Sequence, residues 1–149
     1  MSLTAEKLRE LIKDKPELNI LLENQEQSGD PLIQSAMSMA VSDFNSMPPI
    51  IRNYTVEDFP NEAILFYGTL HYIANGEAER QLRNQVQYNA QGLNAGIDDK
   101  FGQYSQLAQY YGQLFNNKAS QFKKMKNIDA AWGQQESPYL HINEYNFGS

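Results

Sequence analysis

A chain of 149 residues with 12 Lys and Arg against 18 Asp and Glu has the length of one domain and a net charge of −6 at pH 7. Its lack of cysteine excludes a disulfide framework, a thiolate metal site and a cysteine nucleophile, and His71 and His141 offer no metal-ligand spacing. The acidic balance disfavours bulk binding to nucleic acid or anionic membranes, and no apolar run approaches the roughly 18–20 residues of a membrane span.

Polarity comes largely from neutral amides, 14 Asn and 14 Gln. The opening Met1-Ser2-Leu3-Thr4-Ala5-Glu6 lacks a basic-then-apolar signal pattern, so the expectation is a soluble chain made in the cytosol. Residues 1–29 read as two short helical pieces. Thr4 is the expected N-cap of the first, with Leu8, Leu11 and Ile12 at helical spacing. Pro16 suits the first turn of the second, whose apolar stripe is Leu18, Leu21 and Leu22.

Ser28-Gly29-Asp30 is a stop, and Asp30-Pro31 reads as a cap followed by a first-turn proline. Leu32, Ile33, Ala36, Met37, Ala40, Val41 and Phe44 then share a face of a helix ending near Ser46, before Met47-Pro48-Pro49. A linker from Pro48 to Phe59 follows, extended at 50–54, with Thr55-Val56-Glu57-Asp58 as a second helix-start signature. The next helix, about Pro60 to Tyr88, is apolar over 63–74 and polar over 77–87. About 28 residues span roughly 42 Å at 1.5 Å per residue, so its polar half is expected to project beyond the core and need support.

The expected support is a second long helix, roughly Asp98 to Lys126, entered through a Gly- and Asn-rich turn at 89–96. Phe101, Tyr104, Leu107, Ala108, Tyr111, Leu114, Phe115 and Phe122 mostly recur on it at three- and four-residue intervals, giving an antiparallel hairpin. Lys118, Lys123, Lys124 and Lys126 read as a solvated helix end facing the negative pole of the macrodipole. Residues 128–149 carry three acids and no Lys or Arg, and are too aromatic for a disordered tail. They are expected to dock as an extended arm, on this domain or on another chain. The expectation is an all-α helical bundle: short N-terminal helices (1–29), a connector core with a long antiparallel helical hairpin (30–127) and a C-terminal extended arm (128–149).

Catalytic signals are weak. His71 lies in the apolar stretch of the long helix and reads as a core or interface residue, not a general base. Glu57-Asp58 and Asp98-Asp99 suit helix starts better than acid–base chemistry. Residues 92–96 follow a helix and lack the Gly-Lys-Ser/Thr of a phosphate cradle. Tyr104, Tyr110 and Tyr111 read as hairpin packing. A hydrolase or nuclease built on Glu57, Asp58 and His71 is the remote enzymatic alternative. No catalytic residue, cofactor or metal is expected.

Taken in order, the second half resembles the head–tail connector (adaptor) proteins of tailed bacteriophages. The resemblance runs through Phe59-Pro60 with 64–68, Arg83-Asn84-Gln85, Tyr88-Asn89, Gly92-Leu93 and Asp98-Asp99-Lys100. It continues through Tyr104, Leu107, Ala108, Tyr111, Phe115, Phe122-Lys123, Asn127, Trp132-Gly133 and Ser137-Pro138-Tyr139. It covers roughly Asp30 to Tyr139 and consists of soft spacing. What it implies is a structural virion protein of the neck at the head–tail interface, assembled in the host cytoplasm. It implies a ring of copies, usually a dodecamer, between the portal protein and a tail or stopper protein, with double-stranded DNA passing through without specific binding. The arm residues implied to engage a partner are Trp132, Pro138, Tyr139, His141, Tyr145 and Phe147. Contacts between copies are expected along Arg80, Arg83, Asn84, Gln87, Tyr88 and Tyr104. The alternative is a small helical interaction module or assembly chaperone without enzymatic activity.

Overall fold

The computed structural model describes residues 2–19, 25–90 and 100–132, and these form an all-helical bundle. In chain order the helices are α1 (Ala5–Ile12), α2 (Asp30–Ser46), α3 (Glu62–Ala90) and α4 (Lys100–Trp132). No strand occurs among the described residues, and no helix there is long and apolar enough to cross a membrane. The expected turn at 89–96 and the arm beyond Trp132 fall mostly or wholly outside the described residues.

Thr4 caps α1 as expected, its Oγ1 accepting from the Lys7 N–H at 3.2 Å. Lys13 closes that helix in the left-handed region at φ 58°. The expected second N-terminal helix differs: the Lys15 carbonyl accepts from the N–H groups of Leu18 and Asn19, giving a turn over 16–18. Leu18 is exposed, while Leu21 and Leu22 lie outside the described residues.

The start of α2 is one residue earlier than expected. Gly29, not Asp30, is the N-cap, because the Asp30 carboxylate is engaged by Arg9 across the bundle. Ile33, Ala36, Met37, Ala40, Val41 and Phe44 are buried, but Leu32 faces outward. The helix stops at Met47, whose extended ψ of 132° is the conformation a following proline imposes.

A second correction falls at the entry to α3. Thr55 and Asp58 close a turn on each other, the Asp58 Oδ1 accepting from the Thr55 N–H at 2.6 Å. Phe59, the residue before Pro60, is biased out of the helical region, so the helix waits for Asn61. The Asn61 Oδ1 accepts from the N–H groups of Ala63 at 3.0 Å and Ile64 at 3.2 Å, which is an N-cap. At the other end of the bundle α4 runs six residues past Lys126 to Trp132. Residues 128–132, expected in the arm, are therefore helical.

Helices α3 and α4 pack antiparallel, residues 64–68 lying near 115–119 and residues 77–80 near 104. Two glycines set their approach. A Cβ on Gly68 would lie 2.8 Å from both the Ala40 Cβ and the Phe115 ring, so this position is where α2, α3 and α4 converge. A Cβ on Gly112 would lie 2.8 Å from His71 Nδ1. Around the convergence, Phe44, Ile64, Phe115 and Ala119 form one apolar cluster, and Leu3, Leu8, Ile33, Met37, Ala40, Val41 and Leu65 form the other. Phe59 packs against both, its ring centroid 4.8 Å from that of Phe44.

Gly76, by contrast, sits in α3 with open space where its Cβ would be. Thermal unfolding separates the two roles: Gly76→Ala stabilises the chain by roughly 0.5–1 kcal/mol through helix propensity. Gly68→Ala destabilises it by about 1–3 kcal/mol through overpacking. Equal shifts of the same sign would show that close approach at Gly68 does not constrain the bundle.

Candidate interaction site

Polar ties organise the N-terminal segment and join it to the start of α3. The buried Asp14 carboxylate accepts from the Asn19 side chain at 2.6 Å, the Gln27 N–H at 2.8 Å and the Ser28 N–H at 3.0 Å. Charge-assisted bonds of this kind are about twice as strong as neutral ones, and here they draw 27–28 back beside the exit of α1. Arg9 reaches the same loop, donating to the Ser28 carbonyl at 2.8 Å and pairing with Glu26 and Asp30. Lys7 pairs with Glu62 at the start of α3.

Between this segment and the α3–α4 pair lies a groove of about 340 Å³. Phe66, Leu70, Ile73 and Leu107 give it an apolar floor, and Asp14, Gln27, Glu77 and Tyr104 a polar rim. Gln27 donates to the Tyr104 hydroxyl at 3.3 Å. Burial alone would raise the Glu77 carboxyl, but bonds from Arg80 and Gln81 outweigh it and hold the group below its ordinary range. The groove has the chemistry to seat an apolar side chain that carries a hydrogen-bonding head.

The expected contact residues divide. Arg80 is engaged by Glu77 on its own helix, Arg83 lies 4.0 Å from Glu79, and both arginines and Asn84 are exposed. Tyr104 is half-buried and committed to Gln27. Gln87 and Tyr88 belong to the last turns of α3. Trp132 ends α4, whereas Pro138, Tyr139, His141, Tyr145 and Phe147 lie outside the described residues. Of the tyrosines read as packing, Tyr111 stacks on Tyr67 with centroids 6.2 Å apart, but Tyr110 is exposed.

His71 ties the two long helices together. Its Nδ1 lies 2.7 Å from the Ala108 carbonyl, which can only accept, so the proton resides on Nδ1. Asn75 donates to Nε2 at 3.2 Å, so both ring nitrogens have structural partners. Glu57 and Asp58 are exposed, and the Thr55 backbone N–H, helped by Arg52, holds the Asp58 carboxyl below its ordinary value. Asp98 and Asp99 lie outside the described residues, as does the 92–96 loop. Among the described residues, no group of three or more His, Asp or Glu is placed to hold a metal ion.

The lysine group corrects a sequence expectation. Lys123 is not at a solvated helix end: it is 1% exposed, within the body of α4. Its ammonium donates to the Met47 carbonyl and sits 4.7 Å from the centroid of the Phe44 ring. Burial lowers its pKa. The missed signal was register, since Lys123 follows Ala119 and Phe115 at four-residue steps on the core face. Asp14 and Gln27 carried no such signal, because a bond between residues 13 apart in the chain leaves no period to read.

No family model, curated protein or solved structure matches the chain.

Tyr72 supplies a titration test of the α2–α3 contact. Burial, then the bond its hydroxyl donates to Asp43, pushes its pKa up to about 12 from an ordinary 10. The raised folded-state value means its stabilisation is complete below pH 10 and is lost as pH rises through 12. The stability difference between the native chain and Tyr72→Phe, followed by chemical denaturation, therefore shrinks between pH 10 and 12. A difference constant across that interval would show that the hydroxyl does not bond Asp43 in solution.

Proposed function

We propose that this chain is a structural connector of a tailed-phage neck, without catalytic activity. Copies assemble into a ring, expected as a dodecamer, joining a portal to a tail or stopper protein around the DNA channel. What supports the reading is the ordered residue series from Phe59 to Tyr139 in the sequence, together with an all-helical bundle among the described residues whose long helices carry polar flanks. Amide-rich flanks suit contacts between copies because neutral amides form interfaces without the desolvation cost of buried charge. A charge of −6 per copy keeps passing DNA from adhering where it faces the channel. The aromatic residues after Asn127, led by Trp132, are the residue types that dominate binding hot spots.

The groove beside Glu77 favours a second reading, a small helical interaction module or assembly chaperone that seats a partner's side chain. Light scattering after size exclusion, with and without purified portal, separates the two. The connector binds portal rings in a stoichiometric ring, whereas a chain that ignores portal and stays a monomer or dimer at every concentration is the interaction module. On the connector reading Trp132→Ala weakens portal binding by about 2 kcal/mol, roughly thirty-fold, with circular dichroism unchanged. Loss of helicity instead would assign Trp132 to the protomer's own packing.

A further inference from the structure

Residues 25–28, Gln-Glu-Gln-Ser, bring no apolar side chain to the bundle. They border the groove beside Glu77, so their place there is set by polar contacts. The Asp14 carboxylate accepts from the backbone N–H groups of Gln27 at 2.8 Å and Ser28 at 3.0 Å. Asn19 donates to the Gln25 carbonyl at 2.9 Å, and Arg9 donates to the Ser28 carbonyl while pairing with the exposed Glu26.

The Asp14 site is built for an acceptor. Its Oδ1 meets Gln27 N–H and the Asn19 side-chain amide, and its Oδ2 meets Ser28 N–H. A backbone N–H cannot turn round to accept. A neutral amide of the same shape would therefore set its own NH2 against Gln27 or Ser28 in either orientation, inside a pocket where Asp14 is 6% exposed.

Beyond that anchor the Gln27 side chain is exposed and crosses to α4, donating to the Tyr104 hydroxyl at 3.3 Å. That distance lies just beyond the usual range, so Gln27 is placed more by its backbone, and hence by Asp14, than by its tip. Gln27 and Glu77 both line the groove of about 340 Å³ and two neighbouring hollows of about 430 and 400 Å³. The amide side chain thus stands where three hollows meet.

We infer that Gln27 is an internal stopper of the groove and that Asp14 is the positioning residue that latches it. With the latch made, Gln27 bridges the loop to Tyr104 and keeps the hollows apart. With the latch broken, 27–28 swing out and the hollows join along α3 from Leu70 to Arg80. The contact is autoinhibitory: a side chain entering the groove has to displace Gln27. The latch belongs to the groove and stands apart from the connector reading.

The chain has no cysteine, so a single thiol reports on the groove wall. Ala74, 5% exposed and lining the groove, is replaced in the full chain as Ala74→Cys, and its rate of labelling by N-ethylmaleimide is measured. Adding Gln27→Ala is expected to raise that rate roughly five-fold or more, and adding Asp14→Asn to raise it equally, with circular dichroism unchanged in both. Adding the two together is expected to give no further rise, because each removes the same stopper. A rate unmoved by either substitution would overturn the inference. So would a further rise from Asp14→Asn in the Gln27→Ala background, which would mean that Asp14 holds the bundle and not the stopper. If Asp14→Asn costs helicity, Asp14 is part of the fold and the latch is refuted, while the exposed Gln27→Ala still tests the stopper by itself.

Discussion

The closeness of α3 to its neighbours is what the rest of the bundle depends on. At Gly68 the α3 backbone meets Ala40 of α2 and Phe115 of α4 with no room for one more carbon. At Gly112 the α4 backbone admits the His71 ring, whose Nδ1 then bonds the Ala108 carbonyl across the helix pair. Interiors pack at the density of organic crystals, so two such contacts fix the register of three helices at once. The apolar clusters on either side of the convergence follow from that register. Phe44 can touch Phe59, Phe122 and the Lys123 ammonium together only because α2 and α4 are drawn in beside α3.

Away from this convergence the long helices are thinly supported. The N-terminal segment reaches α3 through Lys7, which pairs with Glu62, while Asp14 and Arg9 tie residues 26–30 to the end of α1, and Leu3 and Leu8 are buried in the apolar cluster. Those ties also create the groove beside Glu77 by holding 27–28 off the α3–α4 floor. Further along, α4 exposes Met125 and Ile128, and α2 exposes Leu32 and Met39.

The buried lysine shows how a side chain can serve both interior and edge. Its methylene stem fills space between α2 and α4, while its ammonium meets the carbonyl at the end of α2 and an aromatic face. Helix C-termini leave carbonyls unpaired and carry partial negative charge, so a cation delivered from another helix satisfies both. A sequence reading that assigns lysines to solvent by type misses this, although the four-residue step from Ala119 places Lys123 inward.

Fold class, the order of the helices, the Thr4 cap, the stop at Met47 and the polar second half of α3 were legible in the sequence, because each arises from local rules of periodicity, capping and proline geometry. The cap expected at Asp30 and the helix-start signature at Thr55 do not cap, because their side chains are engaged elsewhere, by Arg9 and in a closed turn. Helix α4 continues six residues past Lys126, because a run of lysines is not by itself a helix stop. Composition and spacing alone determined an acidic, amide-rich helical chain with two long helices. Tertiary structure alone decided that His71 bridges helices, that Lys123 is interior and that Leu32 is not. It also gathered Asn19, Gln27 and Ser28 around Asp14. Each depends on which groups from distant parts of the chain arrive together, and no local pattern encodes that.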